Sequence, residues 1–186
     1  MTDSTASGRY TSVAVALHWV IAIALILQLY VGFFHDDFPR EVRGDVMSLH
    51  KSLGITVLLL SVVRLVWRLM HRPPPLPEGL KAWERGLSHA VHWGLYVVMI
   101  GAPLAGWAMT SASPKVRPIP FWGAEFPALP LPREKDLMEA MAETHEVLGF
   151  LAVVLIALHL GGALKHRFID GHDVLWRMIP FLKAPK

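Results

Sequence analysis

Cysteine is absent from the chain. Its absence excludes disulfides, thiolate zinc sites, iron–sulfur clusters and the C-x-x-C-H attachment of c-type haem. Histidine, present ten times, is left as the only strong soft-metal ligand in quantity. Charge is also scarce, at 18% of residues against 53% hydrophobic, and the mean hydropathy is +0.41. That balance describes an integral membrane protein in contact with lipid rather than a soluble domain, and no nucleic-acid partner is expected.

Four apolar stretches are long enough to span about 30 Å of hydrocarbon at 1.5 Å per residue. They run from about 13 to 34, 47 to 70, 87 to 110 and 145 to 164. Lipid offers no partner to backbone N–H and C=O groups, so each stretch must be helical. Joined by short connections, they make an all-α antiparallel four-helix bundle, read as one membrane domain over residues 1–186. The first stretch is too long for a signal peptide and has no small-residue cleavage site, so it is expected to remain.

Arg9, Arg68, Arg72, Lys81, Arg85, Lys165, Arg167, Arg177, Lys183 and Lys186 fall on one side of this layout. The other side has only Arg40, Arg43, Lys115, Arg117, Arg133 and Lys135. The positive-inside rule then puts both termini in the cytoplasm. The inner connection contains Arg72-Pro73-Pro74-Pro75-Leu76-Pro77, which cannot continue a helix. The outer connection is rich in proline and aromatics and is expected to lie along the membrane surface. Leu137, Met138 and Met141 recur at helical spacing, predicting a helical lead-in over 135–144.

Histidines inside hydrocarbon-length stretches are expensive and are usually functional. His145 and His159 lie 14 residues apart on the fourth stretch, close to four turns, so they share a face about 21 Å apart along the axis. His18 matches the depth of His159, and His50 that of His145. Each pair can fill both axial positions of a non-covalent b-type haem iron, which gives two haems in the bundle core. For any one of these histidines a hydrogen bond to a neighbouring helix is the plainer role; pairing by depth favours ligation. His35, His71, His166 and His172 fall in connections or tails, where solvated surface is expected.

His89 and His92 sit on neighbouring positions at the start of the third helix. They are read either as interfacial residues or as contacts to a haem propionate or a proton relay to a quinone. They are not read as axial ligands, since no depth-matched partner remains for them. Arg64 follows His50 by 14 residues in an apolar run, near the inner haem, where a propionate suits it better than snorkelling. Lys51 and the cations of the outer connection can attract a small anion or anionic headgroups, against a background of acidic neighbours. Gly54, Gly149, Gly161 and Gly162 follow ligand candidates closely, and Gly101 and Gly106 flank Pro103; close helix packing is the ordinary use of such glycines.

These residues fall within Ala16-Leu17-His18-Trp19, Leu49-His50-Lys51-Ser52-Leu53-Gly54, Val63-Arg64-Leu65, His89-Ala90-Val91-His92, His145-Glu146-Val147-Leu148-Gly149, Leu158-His159 and a closing Leu175-Trp176-Arg177-Met178-Ile179-Pro180. In this order the chain resembles the bacterial cytochrome b561 family, four-helix di-haem b proteins related to the cytochrome b subunits of membrane hydrogenases and formate dehydrogenases. The resemblance implies haem ligation by His18, His50, His145 and His159 and electron exchange with the quinone pool of the bacterial inner membrane. It further implies an outer-side one-electron donor, superoxide among the candidates, and ubiquinone as acceptor. A subunit relaying electrons for a dehydrogenase-type partner protein is the alternative, and a histidine-based transporter a more distant one. No catalytic residue and no oligomeric state follow from the sequence.

Overall fold

The computed structural model describes residues 8–75, 79–171, 175–179 and 181–182. Leu76, Pro77, His172, Pro180, Lys183 and Lys186, which entered the sequence reading, lie outside the described residues. Four helices dominate: α1 (Ser12–Phe34), α2 (Arg40–Met70), α3 (Ala82–Ala112) and α4 (Lys135–Phe168). Each is long and apolar enough to cross a membrane. They alternate in direction, so residue 9 and residue 169 share one end, the lower end; the 113–134 connection caps the upper end.

The elements begin and stop where local chemistry directs. Thr11 caps α1, its Oγ1 accepting from the Ala14 amide at 3.2 Å. Glu84, in the first turn of α3, accepts from the Lys81 amide at 3.0 Å. Asp136 opens α4, and Lys165, His166 and Arg167 close it, matching the helix dipole at both ends. Pro103 sits inside α3 and removes one backbone donor, a loss that helices in lipid tolerate when neighbours pack against them.

Three helices are longer than the apolar runs alone predict. α2 starts at Arg40 rather than near 47, α3 at Ala82 rather than near 87, and α4 takes in the whole 135–144 lead-in. Hydropathy marks only the hydrocarbon-facing part, whereas helical hydrogen bonding continues through polar turns beyond it.

Packing is uneven. α2 buries Ser52, Gly54, Ile55, Val57, Leu58 and Ser61, and α3 buries eight residues including Tyr96, Val98 and Met99. α1 buries only Ile21 and Ala24, and α4 only Ala152. Added Cβ atoms at Gly94 and Gly101 would stand 3.1 Å from Leu155 and 3.3 Å from Leu148, so these glycines let α3 and α4 approach closely. α1 and α4, by contrast, scarcely meet.

The upper connection contains two short strands the sequence reading did not foresee, β1 (Ile119–Phe121) and β2 (Ala124–Phe126), paired antiparallel. Trp122 and Gly123 form the turn with φ of 48° and 88°, the left-handed pair that a two-residue hairpin requires. The hairpin folds onto α2. Ser52 Oγ donates to the Pro120 carbonyl at 3.1 Å, and the Trp122 indole donates to Thr56 Oγ1 at 2.9 Å.

Candidate functional site

Two pairs of imidazoles face each other inside the bundle. His50 of α2 and His145 of α4 have ring centres 6.0 Å apart near the upper end. His18 of α1 and His159 of α4 have ring centres 6.1 Å apart near the lower end. All four rings are half-buried.

The upper pair is tightly positioned. His145 Nδ1 lies 2.7 Å from the Ala102 carbonyl. A carbonyl only accepts, so Nδ1 carries the proton and Nε2 keeps its lone pair. Gly106 makes this possible, because a Cβ there would stand 3.1 Å from both Cε1 and Nδ1 of His145. Across the gap, Gln28 of α1 donates from Nε2 to the His50 carbonyl at 2.9 Å, passing over Gly54. His50 Nδ1 is enclosed and has no hydrogen-bond partner among the described residues. Lys51 is half-buried next to His50, within electrostatic reach of Arg117.

The lower pair has more company than expected. Arg64 Nη1 stands 3.0 Å from His18 Nδ1, and since guanidinium only donates, that nitrogen accepts. His92 has its ring centre 5.3 Å from that of His159, closer than His18. Its Nδ1 donates to the Ser88 carbonyl at 2.6 Å, again leaving Nε2 with its lone pair. The sequence reading treated His92 as left over after depth pairing. With α3 starting at Ala82, His92 lies nearly three turns inside the helix and reaches the level of His159. His89 is exposed and borders the same lower cleft as His92.

The donor sets suit a macrocycle better than a bare ion. Among the described residues no group of three or more His, Asp or Glu can cage a metal. A haem iron already has four ring nitrogens and needs two more ligands, one from each side. Two imidazoles each about 2 Å from a common metal would place their ring centres about 6 Å apart, as both pairs are. A Cβ at Gly149, Gly161 or Gly162 on α4 would meet nothing within 4 Å, so the helix is open beside its histidines.

Sequence reasoning missed Gln28, Gly106 with the Ala102 carbonyl, and the Ser52 and Thr56 anchors. Gln28 had a signal: it is the only side-chain amide in α1. The closing segment also finds a role, as the Trp19 indole donates to the Met178 carbonyl at 2.8 Å and Arg177 to the Pro75 carbonyl at 2.6 Å, strapping the lower end.

Four membrane-length helices with facing histidine pairs define the class of helical membrane b-type cytochromes. The description "Prokaryotic cytochrome b561" belongs to a family whose model matches residues 9–181, nearly the whole chain. The protein belongs to the prokaryotic cytochrome b561 family, which carries haem b and serves redox chemistry in bacterial membranes. It is 32% identical over 185 residues to "Cytochrome b561 homolog 2" of Escherichia coli K12, covering 92% of this chain and 91% of that one. It is 25% identical over 174 residues to the "Probable superoxide oxidase CybB" of Yersinia pestis, covering 92% and 96%. "Cytochrome b561 homolog 1" of Escherichia coli K12 matches at 25%, covering 92% and 97%.

Proposed function

We propose that this cytochrome passes single electrons along the bundle between two haems b, one held by His50 and His145 and the other by His18 and His159. Ubiquinone is the partner at one end and superoxide the one-electron donor at the other. The carrying observation is the pair of imidazole separations, 6.0 and 6.1 Å, with one member of each pair on α4. The Yersinia pestis relative, named as a probable superoxide oxidase and matching along nearly its whole length, supports the donor. The excess of Lys and Arg at the lower end supports cytoplasmic termini within the inner membrane.

When bound, each haem supplies an iron that gains and loses one electron reversibly. The chain sets the surroundings. His145 is held in the ligating tautomer by the Ala102 carbonyl, a hydrogen bond that also raises the basicity of Nε2. For neutral His18 to ligate through Nε2, Arg64 would have to release Nδ1, and its guanidinium would then be free to pair with a haem propionate. His92 and His89 border an open cleft with Ser88 and Arg68, where His92 Nε2 can take or give a quinone proton. Lys51 and Arg117 attract the anionic donor at the upper end. Two superoxide anions each give up one electron and leave as dioxygen; one quinone takes both electrons and two protons.

Purified protein tests this directly. Superoxide should reduce the haem absorbance and soluble ubiquinone should reoxidise it. His145→Ala should remove one of two haems and His159→Ala the other, with distinguishable spectra. No reduction by superoxide, together with co-purification of an iron–sulfur subunit in mild detergent, would transfer the chain to the partner-dependent reading. Loss of both haems by either variant, or of neither, contradicts the pairing.

A further inference from the structure

Gln28 stands between Leu27 and Leu29 inside the α1 span. An amide within hydrocarbon is costly unless a neighbouring helix satisfies it. Its Nε2 donates to the His50 carbonyl of α2 at 2.9 Å. A carbonyl only accepts, so the amide's orientation is fixed and Oε1 is left over. That oxygen is enclosed and has no hydrogen-bond partner among the described residues. A Cβ at Gly54 would stand 2.9 Å from the amide nitrogen, so α2 makes room for Gln28 with a glycine.

His50 carries the matching deficit. For its Nε2 to face an iron, Nδ1 must hold the proton, and that N–H is enclosed without an acceptor among the described residues. Other imidazoles of the bundle are provided for: Nδ1 of His145 lies 2.7 Å from the Ala102 carbonyl, that of His92 2.6 Å from the Ser88 carbonyl, and that of His18 3.0 Å from Arg64 Nη1. The His50 ring also meets the right side of α1. Its Cε1, bonded to Nδ1, is 3.7 Å from a Cβ built at Gly32, which follows Gln28 by about one turn on the same face. A buried donor without an acceptor and a buried acceptor without a donor thus flank a single contact between α1 and α2.

We propose that Gln28 is the positioning residue of His50: its amide nitrogen holds the His50 backbone, and its Oε1 accepts from His50 Nδ1–H, directly or across one buried water. The inference rests on the upper haem of the proposed function. The terminal amide torsion of glutamine is broad, so Oε1 can turn toward the ring. Buried water commonly joins leftover polar groups of this kind. An acceptor on Nδ1 does for His50 what the Ala102 carbonyl does for His145: it fixes the tautomer and raises the basicity of Nε2. A more basic ligand favours ferric over ferrous iron, so Gln28 holds the potential of the upper haem down.

The test uses haem-loaded protein in detergent, with two readouts: redox titration of the haem absorbance, and the proton resonance of His50 Nδ1–H in the reduced, diamagnetic protein. The upper haem is the one that His50→Ala removes. Gln28→Met keeps the side-chain length without donor or acceptor. It should raise the midpoint potential of the upper haem alone, move the Nδ1–H resonance upfield and weaken haem retention by about 10–100-fold. Gln28→Asn keeps an amide in the span but withdraws it by one methylene; it should shift both readouts the same way, and it serves where Gln28→Met does not fold. Gln28→Glu should restore the resonance and keep the potential at or below that of the parent, since a neutral carboxyl offers both donor and acceptor and an ionised one pulls harder on the proton. A mere clamp between α1 and α2 would change retention alone, and that result overturns the proposal. So does a raised potential with an unmoved Nδ1–H resonance, which reports lost polarity rather than a lost bond, or an equal shift at both haems. If the parent binds no haem, or His50→Ala keeps both haem signals, the haem reading itself fails; an inert Gln28 in a two-haem protein sinks this inference alone.

Discussion

At His145 the imidazole depends on two features of α3: the Ala102 carbonyl, which fixes its tautomer, and the bare Cα of Gly106, which gives the ring room. The two act together, since a ring held at 2.7 Å by the carbonyl cannot yield to a Cβ arriving at 3.1 Å without losing that bond. Outer hydrogen bonds of this kind are worth roughly 10–100-fold in metal affinity. Gly106→Ala is therefore expected to weaken retention of the upper haem by about that factor, read by transfer to an excess of a haem-accepting protein. Gly44→Ala, near the start of α2 and with nothing within 4 Å of its Cβ, should retain haem like the parent. Equal behaviour of the two variants would remove the Ala102 bond from the account. At this scale the four paired histidines were legible in the sequence, because in lipid an imidazole's depth can be counted along a helix. Gly106 was legible only as a packing glycine. Nothing in the chain near 106 points to residue 145, so its use as space for a ring emerges only from the approach of α4 to α3.

Helix ends decide several contacts that span lengths alone do not foresee. The early start of α3 carries His92 to His159, and the same first turn brings Glu84 to Lys165 at 2.7 Å. The hairpin β1–β2 stayed hidden for a related reason: three-residue strands among prolines have no periodicity to read, and a Trp at φ 48° is an unusual turn residue. At the end of α4, Lys165 first and then His166 hold the Asp170 carboxyl below its ordinary 3.8. A depressed acid adds stability above its unfolded value and loses it as pH falls through the folded one. The clasp of Asp170 on Lys165 and His166 at the end of α4 should thus stay shut from neutral to mildly acid pH and open only below about 3.8. Amide exchange over residues 165–170, corrected for intrinsic rates, checks this. Asp170→Asn at pH 7 should show the loosening that the parent shows only once pH falls through the lowered value, whereas loosening of the parent already at pH 5.5 would assign the effect to another group.

Over the whole molecule the bundle is lopsided: α2 and α3 share a packed core, α4 lies closely on α3, and α1 scarcely meets α4. Both redox sites in the proposed function bridge helices across this loose side, His18 to His159 from α1 to α4 and His50 to His145 from α2 to α4. A ligand that binds only the folded bundle stabilises it by mass action, and the gain falls where the ligand replaces missing side-chain contacts. Cofactor loading should therefore protect α1 and α4 more than α2 and α3. Protein expressed with haem synthesis limited and protein fully loaded can be compared in the same detergent by hydrogen exchange. In the limited sample, exchange should rise first in α1, whose buried side chains are only Ile21 and Ala24, and next along α4 around His145 and His159. The α2–α3 core around Val57, Ser61 and Val98, each 2% exposed or less, should change little. If all four helices loosen equally, the bundle folds as one cooperative unit around its cofactors; if none does, helix packing alone holds α1 in place and the bridging argument fails.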